Sequence, residues 1–261
     1  MNKQIIQIGT LALLLFAGGC SNENDLVPEP TVSGEITIQT RADEVGEYRL
    51  LAFNANGGAC ALNQVIKADG TATTLSLANG KYNFVTLTGA GQFNLPEAGK
   101  TDALTFSGTI ALKPDQSLIP FNISKAAAIT IPADPVYAVE LLPATCKVTL
   151  VVKNKDMFQG KCTFSLKNMN NGFRPDGNAP ATASHTLVEG ENVCFPTTGN
   201  ATLSCKIGLA AEQTLNLGQA FETGKSYTVT LTYKEGFVLN GITINGWDDT
   251  GNEHDGDAVL P

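Results

Sequence analysis

Histidine is nearly missing from this chain: His185 and His254 are the only two in 261 residues. A general base of the commonest kind thus has two candidates, and neither has a partner. Ser184 stands beside His185, but neighbours on a strand point to opposite faces and cannot act as nucleophile and base. The cysteines never fall in a CxxC spacing, which disfavours zinc. Gly89-Ala90-Gly91 lacks the third glycine and the following helix of a phosphate cradle, and reads as a turn. Positive charge is scarce as well. Seventeen Lys and Arg stand against 25 Asp and Glu, a net charge of -8, with no basic cluster interleaved with aromatics, so nucleic acid is excluded as a partner. Aromatics amount to 7%, and Trp247 is the single tryptophan, which leaves little for the exposed platforms on which sugars stack. With no nucleophile and base constellation and no paired carboxylates in a defined context, the chain does not read as an enzyme and calls for no cofactor.

Long helical periodicity is also absent. No stretch of a dozen residues repeats every 3.6, although Lys125 to Ile129 and Ala210 to Thr214 can each form one turn. What is present is short apolar and polar alternation between turn formers such as Asn56-Gly57-Gly58, Asp69-Gly70, Asn79-Gly80 and Asn170-Asn171-Gly172. In the run from Lys225 to Lys234, Tyr227, Val229, Leu231 and Tyr233 share one face, and the serine and threonines take the other. The fold class is all-β. The prolines of Ile131-Pro132-Ala133-Asp134-Pro135 interrupt pairing, and the pattern restarts at Tyr137. This divides the folded part into residues 36–135 and 136–261, each offering about seven strands, enough for a two-sheet sandwich. Two tandem β-sandwiches of transthyretin-like or Greek-key type are expected.

The chain opens with Lys3, an apolar run from Leu11 to Phe16, and Ala17-Gly18-Gly19-Cys20 before the polar Ser21-Asn22-Glu23-Asn24-Asp25. The apolar run is too short to span a bilayer, and with its basic start and small residues it describes a secretory signal. The segment resembles the lipobox of bacterial lipoproteins. That likeness implies a signal peptide over 1–19, a lipidated Cys20, and residues 20–35, with Pro28, Pro30 and Gly34, as a tether. An ordinary signal peptide with a chance cysteine is the alternative.

Beyond Cys20 lie Cys60, Cys146, Cys162, Cys194 and Cys205, an odd number. Cys146 shares a face with Val148 and Leu150, and Cys162 with Phe164 and Leu166, so both sulfurs point to the core. If these runs form a hairpin around Asn154 to Gly160, Cys146 and Cys162 can meet and bridge in an oxidising compartment. Two buried free thiols are the other reading. The acidic segment Asp248 to Asp257 invites calcium but lacks the alternating EF-hand spacing, and it reads as a solvated terminus with no metal site.

Several segments in order resemble the fimbrillin-like family of Bacteroidales, the lipoprotein pilins of type V pili. They are Ile36-Thr37-Ile38-Gln39-Thr40-Arg41-Ala42, Tyr48-Arg49-Leu50-Leu51-Ala52-Phe53, Leu77 to Val85 with its expected hairpin, Gly224 to Leu231, and Gly241-Ile242-Thr243-Ile244-Asn245-Gly246-Trp247. The resemblance implies an outer-membrane lipid-anchored precursor at the cell surface. A maturation protease would cut it between Arg41 and Ala42, releasing the first strand, whose Ile36 and Ile38 plug an apolar groove beforehand. Other fimbrial subunits would then fill the groove by donor-strand exchange, giving a fimbrial subunit that assembles and does not catalyse. Of the other arginines, Arg49 lies inside an expected strand. The run Phe237, Leu239, Ile242, Ile244 and Trp247, with a bulge at Asn240-Gly241, is either a donor strand or the closing core strand of the second half. A free-standing surface lipoprotein that captures a glycan, or a tip adhesin of the pilus, is the competing assignment.

Overall fold

The structure, a computed structural model, describes residues 32–40, 46–247 and 253–260. Ten strands form the first half: β1 (Ser33–Gln39), β2 (Gly46–Asn54), β3 (Cys60–Ala68), β4 (Thr73–Ala78), β5 (Gly80–Leu87), β6 (Ile110–Ala111), β7 (Asn122–Ser124), β8 (Ala127–Ile131), β9 (Val136–Ala138) and β10 (Leu141–Pro143). Ten more follow: β11 (Cys146–Lys153), β12 (Cys162–Asn170), β13 (Gly172–Phe173), β14 (Thr182–Leu187), β15 (Gly190–Cys194), β16 (Thr197–Ile207), β17 (Gln213–Asn216), β18 (Lys225–Tyr233), β19 (Phe237–Trp247) and β20 (Glu253–Leu260). The only helical pieces among the described residues are single 3-10 turns at Ala90–Gln92 and Lys155–Met157.

The fold is all-β, built as two sandwiches. In the first, a three-stranded sheet in the order β4-β1-β9 faces a larger one in the order β10-β7-β5-β2-β3, with β8 added to β5. Between them lies a core of Ile36, Ile38, Tyr48, Leu50, Ala52, Leu62, Leu77, Phe84 and Tyr137. In the second, the sheets run β15-β11-β18-β19-β20 and β14-β12-β16-β17. Alternation explains the division of labour along each strand. On β11, Cys146, Val148, Leu150 and Val152 are buried while the residues between them are less so. On β2 the alternation fails, because both faces are covered. Tyr48, Leu50 and Ala52 face the first sandwich core, whereas Leu51 and Phe53 join a second cluster under residues 88–121.

That segment, between β5 and β7, also ties the halves together. Its β6 pairs with β13 of the second half, Gly172 opposite Ala111 and Phe173 opposite Ile110. Its Phe93 and Phe121 form a ring cluster with Phe173 and Phe195, ring centroids 4.7 to 6.5 Å apart.

Four expectations need correction. The change of sandwich does not fall between 135 and 136. β9 pairs in parallel with β1, and β10 pairs with β7, so residues 136–143 belong to the first half and the second begins at β11. Leu77 to Val85 is no hairpin: β4 and β5 lie in different sheets, and the chain crosses from one to the other at Asn79. Nor do Cys146 and Cys162 share a hairpin, because the segment between β11 and β12 is likewise a crossing between sheets. Cys146 instead stands opposite Cys194 on β15, and Cys162 opposite Ile207. All five described cysteines are free thiols. Finally, the single turns expected at Lys125 to Ile129 and Ala210 to Thr214 are taken up in part by β8 and β17.

Candidate functional site: the seat of the first strand

β1 is the middle strand of its sheet. On one side it runs antiparallel to β4, with Ile36 opposite Leu75 and Ile38 opposite Thr73. On the other it runs parallel to β9, with Thr37 opposite Val136 and Ile38 opposite Tyr137. The Thr37 amide donates to Pro135 O at 2.7 Å, and the Val139 amide donates to Gln39 O at 2.9 Å. Ile36 and Ile38 are 0% and 1% exposed and point at Leu50, Phe84 and the other residues of that core. Burying two such side chains contributes about 1.5–3 kcal/mol each. β1 also passes close over its neighbours: a Cβ on Gly34 would meet Ile131 Cγ2 at 2.7 Å.

The two walls of this seat are held independently of β1. On the β9 side, the Tyr137 hydroxyl lies 3.0 Å from Ser124 Oγ on β7 and accepts a bond from Thr86 Oγ1 on β5 at 3.4 Å. Ser124 Oγ also accepts the Thr86 amide at 2.9 Å, so this buried polar group of three is satisfied across both sheets. On the β4 side, Leu77 is in the core, and the Tyr82 hydroxyl donates to Ala78 O at 2.8 Å. Sequence reasoning picked out Ile36 and Ile38 but missed Tyr137, Ser124 and Thr86. Its one available signal was the Val136-Tyr137-Ala138 alternation, which the flanking prolines made look like the start of a new domain.

Cys20, Arg41 and Ala42 lie outside the described residues, as does the acidic stretch 248–252. Of the other arginines, Arg49 sits in the interior strand β2, and Arg174 is ion-paired with Asp176 at 2.5 Å. The apolar closing run forms β19, between β18 and β20, with Phe237 and Ile242 buried and Leu239 and Ile244 packed against the same cluster. The expected bulge is there: Thr230 faces Gly241 and Leu231 faces Leu239, which leaves Asn240 out of register. The Trp247 backbone closes β19 opposite Glu253 of β20. β19 thus has a paired neighbour on either side. The edge position belongs to β20.

No catalytic grouping converges among the described residues, and no set of three or more His, Cys, Asp or Glu side chains stands close enough to hold a metal ion. His185 is half-buried on β14, and desolvation holds it below its ordinary value. Burial likewise raises the thiols, Cys60 to about 11 and Cys194 and Cys205 to about 12, so they are protonated and unreactive near neutrality.

A solved structure of the fimbrial anchor protein Mfa2 from Porphyromonas gingivalis superposes with a TM-score of 0.56 at 15% identity, covering 83% of this chain and 98% of that one. A candidate polysaccharide-binding protein from Bacteroides thetaiotaomicron gives 0.60 at 11% identity, over 84% and 100% of the two chains. A candidate adhesin from the same species gives 0.55 at 13%, over 83% and 97%. Identities this low show a shared fold. No curated protein matches the sequence significantly. The family model for fimbrillin-A associated anchor proteins Mfa1 and Mfa2 matches residues 30–253, nearly all of the folded chain. This is a family of fimbrial proteins and not of enzymes, in agreement with the resemblance read from the sequence. The chain belongs to the fimbrillin-A associated anchor protein family.

Proposed function

We propose that the chain is a cell-surface fimbrial subunit, exported as a lipoprotein on Cys20, in which β1 is a replaceable strand. The observation that carries this reading is the seat itself. β1 fills a slot between two walls that are each anchored to the opposite sheet, so its departure would leave an apolar trench, with backbone groups of β4 and β9 unpaired, that remains in shape. A strand from another subunit with apolar residues at alternate positions fits that trench. Arg41, two residues beyond the end of β1, is where a cut would free the strand. The partners in this reading are other fimbrial subunits and a maturation protease.

A second placement, at the anchored base of the fimbria, is favoured by the pairing of β19 and β20. β20 is paired with β19 of its own sheet, and β19 is interior, so both strands are engaged within the chain. A subunit of this kind would keep β1 and its lipid.

Limited digestion of the purified full chain with an arginine-specific protease, followed by intact mass and native sizing, tests both. A single cut after Arg41, loss of the preceding segment and growth of denaturant-resistant oligomers is the expected result for strand exchange. A chain that is not cut there, or is cut and stays monomeric, rules out polymerisation by β1 replacement and leaves the anchor placement.

A further inference from the structure

Arg49 is out of place. It lies on an interior strand, and on its face of the sheet it is followed by Leu51 and Phe53, both fully buried under residues 88–121. Val65 on β3 and Leu87 on β5 flank it across the strands. A charge in an apolar row is costly unless paired. Yet among the described residues Arg49 has no carboxylate within ion-pair distance. One guanidinium nitrogen donates to Pro96 O at 2.5 Å, while Nε is shielded from solvent and has no partner. Burial pushes the guanidinium below its ordinary value.

The segment 88–121 stops short of covering it. A cavity of about 480 Å³ opens there, beside the Gly89-Ala90-Gly91 turn, with Leu95 and Pro96 as its apolar wall. Lys113 lines the same cavity, its Nζ donating to Gly91 O at 2.6 Å and, like Arg49, meeting no carboxylate among the described residues. Glu47 and Glu97 also line the cavity, and Glu97 is paired with Lys100 at 2.7 Å.

We infer that this cavity is a binding site for an acidic sugar, its single carboxylate held between Arg49 and Lys113. The cavity has the volume of a small-ligand site. A planar carboxylate matches the donor geometry of a guanidinium group, and Arg49 lines this cavity with no carboxylate of its own. Glu47 and Glu97 point away from ligands with many negative charges, such as acidic peptides, and offer acceptors to hydroxyl groups. The apolar wall suits the C–H face of a pyranose ring. One anion among several hydroxyls is the chemistry of a uronic acid. The inference takes from the reading above only the surface location, and its failure would leave strand replacement untouched.

The test is calorimetric titration of the full chain, at low ionic strength, with a glucuronic-acid-terminated disaccharide, its glucose-terminated neutral counterpart, and sodium sulfate. The acidic disaccharide should bind at least about tenfold more tightly than either of the others, a difference of about 1.4 kcal/mol. Lys113→Gln, on the surface, should lose at least about tenfold with an unchanged thermal midpoint. Arg49→Lys, which keeps the charge but not the fork, should lose a similar factor. Equal binding of the neutral sugar, sulfate as tight as the acidic sugar, no heat with the acidic sugar up to about 10 mM, where a site of even weak affinity would begin to fill, or wild-type affinity in the Lys113→Gln chain would each overturn the assignment.

Discussion

Phe93, carried by the segment between β5 and β7, meets Phe173 of the second half edge-on, with ring centroids 5.0 Å apart. Phe93 is fully buried and also touches Phe121 and Phe195, so one ring from the first half closes a cluster that spans both. Phe93→Ala should cost about 3–5 kcal/mol, the range for losing a buried phenylalanine. It should also separate the unfolding of the two sandwiches. Urea denaturation followed by far-ultraviolet circular dichroism and by aromatic fluorescence checks both points: coincident transitions in the parent, displaced ones in the variant.

Gly172 is required at the pairing of β6 with β13. A Cβ there would sit 2.3 Å from Ile110 O and 3.0 Å from Ala111 Cα, both backbone atoms that cannot swing aside. Gly172→Ala should therefore lower the unfolding free energy by about 1–3 kcal/mol, as for other overpacked sites. Gly46→Ala, where a Cβ meets nothing within 4 Å, should leave it nearly unchanged.

The stability of β1 in its seat is set by its two isoleucines. Ile38→Ala should destabilise the uncut chain by about 2–5 kcal/mol, whereas Glu35→Ala, exposed on the same strand, should change it by less than about 0.5. After cleavage by an arginine-specific protease, the Ile38→Ala strand should also leave faster. Mass spectrometry of the folded fraction over time measures that release, and equal release from parent and variant would show that the side chain in the trench does not govern exchange.

Alternation made the β class and the inward residues of β1, β11 and β18 legible, because burial of one strand face is written locally at every second position. The bulge at Asn240 was legible for the same reason: the apolar phase slips by one there. What was not legible depends on which strand sits beside which. The sequence marks Asn79-Gly80 and Asn154 to Gly160 as turns, but a turn between paired strands and a crossing between sheets use the same residue types, so Cys146 was matched with Cys162 when its neighbour is Cys194. Pro132 and Pro135 suggested a domain end, but they lead into a short strand that returns to pair with β1. Arg49 reads locally as an ordinary exposed strand position, and only the covering segment 88–121 makes it unusual.

The buried thiols give the folded chain a dependence on alkaline pH. Burial raises Cys194 and Cys205 from 9.0 to about 12, with the Cys162 thiol adding to the shift at Cys205. In the unfolded chain these groups lose their protons near the ordinary value, so above pH 9 the folded state binds more protons than the unfolded one. Their contribution to stability is thus complete below pH 9 and is lost progressively as pH rises from 9 to about 12. The slope cannot exceed about 1.4 kcal/mol per pH unit for each thiol. Lysines and tyrosines titrate in the same window, so the parent curve alone is not diagnostic. The difference between the parent and Cys194→Ala isolates one thiol. Unfolding free energies from urea titrations at pH 8, 9.5 and 10.5 should fall less steeply in the variant, although its stability at pH 8 is lower because a well-packed sulfur is gone. A variant with the parent's slope would mean that Cys194 is not a protonated thiol in the core, and alkylation of the native and unfolded parent, with mass detection, would then show whether it is bridged to Cys146.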